Sequence, residues 1–239
     1  MRTRSVLSAL ASACLALAFS ATALAEGVAQ VVTVRLEGDP KPYLDLVAKS
    51  AAITKRLGHP QFHAAQATLA GEATREIYVW SEFPSLAALG EAAAALEKDA
   101  EWQALLKQFD ATGRKVVSMS VWRDQTPAGV TPAPIQSGGV ATALAVRVDG
   151  DPKAYFELLG RLAAASKRLG IPVPRIWQAT LAGEQTRTIY IVTQHASMAS
   201  LGEATAKLDA DAQAQALIRE ADALGRKIVA NSAIRHRVP

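Results

Sequence analysis

Residues 66–72, Gln-Ala-Thr-Leu-Ala-Gly-Glu, return unchanged as residues 178–184, and that offset of 112 positions is the period on which the chain is built. Outward from this block, Lys55-Arg56-Leu57-Gly58 recurs as Lys167-Arg168-Leu169-Gly170, and Gly38-Asp39-Pro40-Lys41 recurs as Gly150-Asp151-Pro152-Lys153. The alignment carries Val28 to Arg123 onto Val140 to Arg235 without a gap, at roughly half identity. Self-similarity at one fixed period over such a length marks a unit present twice in tandem.

Each copy opens with apolar alternation, Val32, Val34 and Leu36 against Thr33 and Arg35, the period of a half-buried strand. Asp39 then caps a helix with Pro40 in its first turn. Tyr43, Val47 and Leu57 form its apolar stripe, Lys55 and Arg56 suit its C-terminal dipole, and Gly58 ends it. Around Gly71 two strand-like runs, residues 61–70 and 75–83, read as a hairpin. Ser85 opens a long helix with Leu86, Leu89, Leu96, Trp102, Leu105 and Phe109 on one face and a break near Asp99; Gly113 stops it and residues 115–122 form a last strand.

The order is βαββαβ, the split arrangement of ferredoxin-like domains, with four antiparallel strands and both helices on one face. The expected organisation is a signal segment at 1–25, one repeat at 26–123, a linker at 124–139 and a second repeat at 140–239. The linker, DQTPAGVTPAPIQSGG, has three prolines and three glycines and no periodicity. Fully extended it reaches about 55 Å, ample for the two copies to meet.

One layer of helices leaves each sheet with a bare face that needs a partner. A second copy in the same chain supplies one, so the economical architecture is an intrachain pseudo-dimer with sheet facing sheet, or a dimer of chains that exchange copies. The pattern resembles the dimeric α+β barrel superfamily, with its antibiotic-biosynthesis monooxygenase-like and NIPSNAP-like members. The residues that carry the resemblance are Tyr78-Val79-Trp80, Ser85-Leu86-Ala87-Ala88-Leu89 and Lys98-Asp99-Ala100-Glu101-Trp102-Gln103-Ala104-Leu105. It spans each copy almost end to end and implies an α+β barrel; Trp102 becomes Ala214 in the second copy. Fold transfers on such grounds, function does not.

Residues 1–25 read as a secretory signal: Arg2 and Arg4, an apolar run from Val6 to Phe19, and Ala23-Leu24-Ala25 before a cleavage point at Glu26. The expected location is periplasmic or secreted. The lone cysteine, Cys14, leaves with the signal, which excludes disulfides and thiolate chemistry from the mature chain. Removing Arg2 and Arg4 lowers the basic count from 26 to 24 against 22 acidic residues, so the formal charge falls from +4 to about +2. That balance does not suit a polyanion binder, and no later stretch is long and apolar enough to span a bilayer.

His59 and His63 are four apart, but Pro60 breaks the helix that would align them as metal ligands, and no histidine is retained between the copies. No metal and no cofactor are expected. Members of the resembled superfamily that degrade haem use a histidine and a tryptophan, so the resemblance implies His63 with Trp80 as the pair to test for haem handling, the weakest of three readings. Lys55-Arg56 and Arg114-Lys115, with their counterparts, read as helix-terminal and strand-edge cations rather than a nucleic-acid surface.

Strand alternation supplies the candidate site. With Val32, Val34, Leu36, Ala67, Leu69, Ile77 and Val79 toward the helices, the opposite face carries Arg35, Gln66, Thr68, Tyr78 and Trp80. The second copy offers Arg147, Gln178, Thr180, Tyr190 and Val192, and Trp122 adds to the aromatic side. Such a layer is either a hydrogen-bonded interface or the lining of a pocket. The leading expectation is an exported protein binding a small, anionic organic ligand against Trp80 with Arg35 or Arg147 as its counter-charge, and the reaction class, if any, is a cofactor-independent oxygenase or isomerase. The alternative is a non-catalytic interaction module whose polar layer only holds the copies together.

Overall fold

The computed structural model describes residues 27–149 and 151–238; the expected signal segment and the expected cleavage point at Glu26 lie outside them. Among these residues the first half runs β1 (Val28–Arg35), α1 (Lys41–Arg56), β2 (His63–Leu69), β3 (Ile77–Phe83), α2 (Leu86–Lys98), α3 (Ala100–Ala111) and β4 (Lys115–Asp124). The second half repeats the order as β5 (Val140–Val148), α4 (Lys153–Arg168), β6 (Arg175–Leu181), β7 (Ile189–His195), α5 (Met198–Ala210), α6 (Ala212–Ala223) and β8 (Arg226–Val238).

The expected stops and starts are local chemistry. The Asp39 carboxylate accepts from the Lys41 amide, Ser85 Oγ accepts from the Ala88 amide, and Gly58 takes the left-handed turn at φ +72° that ends α1. Asp99 does break the long helix. Its backbone is extended, its carboxylate accepts from the Trp102 amide to cap α3, and Arg56 reaches it from α1. In the second half Asp211 repeats this with Ala214 and Arg168, and those donors pull its carboxyl down to about 2. The basic pairs are likewise engaged with acids: Arg114 with Asp110, Arg226 with Asp222, Lys115 with Glu37, Lys227 with Asp149.

The strands close into one eight-stranded antiparallel barrel in the order β1-β3-β2-β8-β5-β7-β6-β4. The sheets of the two halves therefore do not merely face each other; they join edge to edge through two seams, β2 with β8 and β4 with β6. Their far faces then curl into one interior, and the helices cover the outside. Val34, Ile77 and Val79 pack with Tyr43, Val47, Leu105 and Phe109 under the first-half helices, and Val146, Ile176 and Ile189 pack with Tyr155, Leu158 and Leu217 under the second.

From β1 to β5 there are four antiparallel steps, so these corresponding strands point the same way, and the half-to-half relation is an approximate twofold along the barrel axis. The two mouths of the barrel are consequently different in kind. One, here the upper mouth, gathers the starts of β1, β2, β5 and β6; the lower gathers their ends.

The β2–β3 hairpin differs from the expectation in a way that matters for the interior. Gln66 pairs with Ile77 and Ala65 with Tyr78. Ten residues separate Gln66 from Ile77, and opposed residues share a face, so Gln66 lies with Ile77 on the helix side while Ala65 and Ala67 join Tyr78 inside. The cause is a bulge: the Arg75 amide donates to the Ala67 carbonyl while the Ala67 amide donates to that of Glu76, and Arg75 sits at φ +79°. Arg187 repeats this in the second half at φ +73°.

A left-handed Arg costs roughly 1 kcal/mol that glycine avoids, less what glycine's greater freedom costs in the unfolded chain. Arg75, exposed at the hairpin tip, is the site to test: Arg75→Gly should raise urea stability by up to about 1 kcal/mol. A loss of stability would show that contacts of the guanidinium outweigh the backbone strain.

Candidate functional site

The barrel interior is where the sequence-predicted residues converge or fail to. Trp80, Trp122 and Trp177 point into it together with Ala29, Val31, Tyr190 and Val192, and Ala65, Ala67, Ala141 and Ile234 fill the adjoining wall. Trp177 is only 5 % exposed, whereas Tyr78, Trp80, Trp122 and Tyr190 stay half-buried. Trp122 and Tyr190 stack across the interior with centroids 4.0 Å apart and planes within 10°. Burial pushes the Tyr190 hydroxyl up to about 12, with Tyr78 nearby adding to the rise, and that hydroxyl donates to Gln185 Oε1 at 3.0 Å.

Gln66 and Gln178, expected in this layer, are outside it. Gln178 pairs with Ile189 just as Gln66 pairs with Ile77, and Gln66 Oε1 accepts from Arg237 at 2.9 Å. Thr68 and Thr180 serve the seams, donating to the carbonyls of Ala233 and Val121. Ala67, expected toward the helices, is inside, and Leu69 is 63 % exposed. The same parity brings in Trp177, which pairs with Tyr190; the signal that would have found it is the paired count across the hairpin.

At the lower mouth Arg35 and Arg147 stand where alternation put them, two residues beyond Thr33 and Ala145 on their strands. Their surroundings differ. Arg35 donates to the Glu76 carboxylate at 2.6 Å, an ion pair whose acid side chain is 8 % exposed. The second half has Thr188 at the place of Glu76; Arg147 Nε lies 3.5 Å from its hydroxyl, and the other guanidinium contact is the Glu184 backbone carbonyl.

The upper mouth was not legible as a site. Arg175 bonds Asp124 at 2.8 Å and Glu82 at 2.7 Å and lies 4.2 Å over the Trp177 ring. By the 112-residue offset these three positions correspond to His63, His236 and Gln194 on the other side of the axis. There His236 shares a 2.5 Å hydrogen bond between Nε2 and Gln194 Oε1, and Trp80 stacks on His63 at 5.3 Å and meets His236 edge-on at 5.8 Å. An ion cluster on one seam is thus answered by an imidazole and amide cluster on the other. His63 and Trp80, expected together, do meet. Among the described residues no group of three or more His, Cys, Asp or Glu is placed to hold a metal ion, and no helix is long and apolar enough to cross a membrane.

Two clefts open on the surface. One, of about 460 Å³, runs along the end of α1 beside Lys55 and His59; the other, of about 430 Å³, separates Arg175 from linker residues Thr126, Pro127 and Val130.

His236 is 2 % exposed, and burial with His63 alongside drives it down to about 4 from 6.5. Between those values the unfolded chain binds more protons than the fold, so stability is full above pH 6.5 and falls as the pH is lowered, by up to about 3 kcal/mol at pH 4. His195, also lowered by burial, adds in the same direction. Denaturation midpoints from pH 7 to pH 4 should show this slope, and His236→Gln should remove most of it; an unchanged slope would place the proton uptake elsewhere.

No family model matches the sequence, and no curated protein does. The fold does have solved counterparts. A proposed monooxygenase from Lactobacillus acidophilus superposes with a TM-score of 0.63 at 10% identity, over 89% of this chain and 96% of that one. A second proposed monooxygenase, from Fusobacterium nucleatum, gives 0.58 at 10% identity over 90% and 94%. An anthrone oxidase-like protein gives 0.53 at 13% identity over 88% and 93%. At such identities the likeness speaks to architecture, and the architecture is that of the dimeric α+β barrel, completed here by one chain.

Proposed function

We propose that the chain is an exported protein that binds a small planar aromatic ligand inside the barrel, with oxygen-dependent or isomerising chemistry on that ligand as its reaction class. The carrying observation is the half-buried aromatic lining: Tyr78 and Trp80 keep accessible surface beside a fully buried wall of Ala65, Ala67 and Ala141. A mostly apolar concave lining with a few polar groups at its ends is how small-molecule sites are built. The monooxygenase and anthrone oxidase-like descriptions of the structural neighbours agree with this class. Export rests on the apolar N-terminal segment alone. Tandem duplication rests on the 112-residue repeat.

A second reading has its own observation. The Trp122–Tyr190 stack and the buried Trp177 join the two halves directly, so the interior can be the cemented interface of a non-catalytic module. Haem handling has less support: the face of His63 is covered by Trp80, and His236 is buried and bonded to Gln194, so neither imidazole is presented to a macrocycle.

Substitution at Trp80 separates the first two readings. Trp80→Ala should weaken binding of planar aromatic acids, followed by tryptophan fluorescence and calorimetry, by tenfold or more with a modest loss of stability. If it instead costs about 3–5 kcal/mol, as a filled core position does, and native mass spectrometry finds no co-purifying small molecule, the interior is structural.

A further inference from the structure

Across the approximate twofold, the lower mouth keeps its arginines and tyrosines and changes their counter-charge. Arg35 and Tyr78 correspond to Arg147 and Tyr190, while Glu76 corresponds to Thr188. The Arg35 charge is therefore neutralised by a nearly buried carboxylate at 2.6 Å. Arg147, among the described residues, has no carboxylate within ion-pair distance; a hydroxyl at 3.5 Å and a backbone carbonyl occupy part of its donor fork. Thr188 is 2 % exposed, so the position that would hold the acid is filled by a neutral side chain. A guanidinium has five donors in a planar fork that matches a carboxylate, and two neutral acceptors leave both charge and donors over.

The aromatic surfaces of the two related strands, β3 and β7, are also unequal. One face of Tyr190 is stacked on Trp122, whereas Tyr78 stands next to Trp80, itself stacked on His63, on the same inward face of β3. With about 3.4 Å per strand residue, the step from the Arg147 level to Tyr78 is about 7 Å and to Trp80 about 14 Å. That span fits a carboxylate joined to one or two fused rings.

We infer, on the basis of the ligand-binding reading above, that the barrel takes one aromatic carboxylate per chain, its carboxylate on Arg147 and its ring system along Tyr78 and Trp80. Arg35 is the wrong anchor, because an anion there must displace Glu76. The site is single although the fold is nearly twofold, since only one of the two related arginines carries an unopposed charge and only one of the two related strands, β3, places a tryptophan above its tyrosine.

The probes are 2-naphthoate and its neutral isostere 2-naphthamide, titrated calorimetrically into the full mature chain. The unaltered protein should bind naphthoate at one per chain and more tightly than the amide, with the difference shrinking as salt is raised. Arg147→Gln should weaken naphthoate at least tenfold and change the amide less than twofold, Arg147→Lys should recover part of the loss, and Arg35→Gln should change naphthoate less than threefold. Thermal unfolding of each variant checks that the fold is kept. If Trp80→Ala weakens both probes but Arg147→Gln weakens neither, the anchor is refuted and the binding site stands. Equal effects of the two arginine variants also refute the anchor. If the unaltered protein binds neither probe, or Trp80→Ala leaves both unchanged, the underlying reading fails with it.

Discussion

Closure of the sheet is the constraint on which everything else depends. A four-stranded sheet with helices on one face has two raw edges and an uncovered face, and each half of this chain alone would carry both liabilities. Backbone pairing of β2 with β8 and of β4 with β6 removes the edges and encloses the face at once. It also sets the terms for the interior: an eight-stranded barrel is just wide enough to be filled by side chains or to hold one small ligand, so the side chains pointing inward are chosen together, from both halves, by volume. Three tryptophans on one side and alanines, a valine and an isoleucine on the other satisfy that demand unequally.

The inequality is concentrated at chosen levels. The outer cores under the helices use similar residues in both halves, as Tyr43 and Tyr155 or Leu105 and Leu217 show. Inside, an arginine with two carboxylates at one seam is matched by two histidines and a glutamine at the other. The arginine pairs with both carboxylates in its cluster, whereas His236 bonds Gln194 through Nε2 and keeps a buried Nδ1 without a hydrogen-bond partner; neither cluster would tolerate exchange of single members, because an arginine set beside buried imidazoles would lack a counter-charge. Two seams with the same backbone role have therefore been given different electrostatic character, one fixed and one sensitive to acid.

How much of this was legible in the sequence can be followed residue by residue. The repeat, the alternation of Val32 and Val34, the caps at Asp39 and Ser85 and the break at Asp99 are local signals with local causes, and the elements stand where those signals put them. The seams were not legible, since pairing between distant edges leaves no periodic mark. The inward set was half legible. Arg35, Tyr78 and Trp80, with Arg147 and Tyr190, were placed by alternation within single strands, but Gln66 and Gln178 depended on the parity of the hairpin. There an arginine, not a glycine, adopts the left-handed conformation of the bulge, so nothing in the composition announced the extra residue. The upper-mouth cluster was missed for a related reason: Arg175, Glu82 and Asp124 are distant in sequence and meet only after closure.

The approximate twofold along the axis has one more consequence, for chain connectivity. β4 ends and β5 begins at the upper mouth, and the 15 residues 125–139 bridge them. β8 ends and β1 begins at that same mouth, separated by an equivalent number of strands around the ring. The path of the backbone is thus a circle that happens to be cut at one of two interchangeable places. A permuted chain, opened within the present linker and joined from Val238 to Gly27 by a segment of similar length, would trace the same barrel with its halves in reverse order. Its interior would keep Trp80 and Arg147 at the same levels, because nothing in the arrangement of strands records which half was made first.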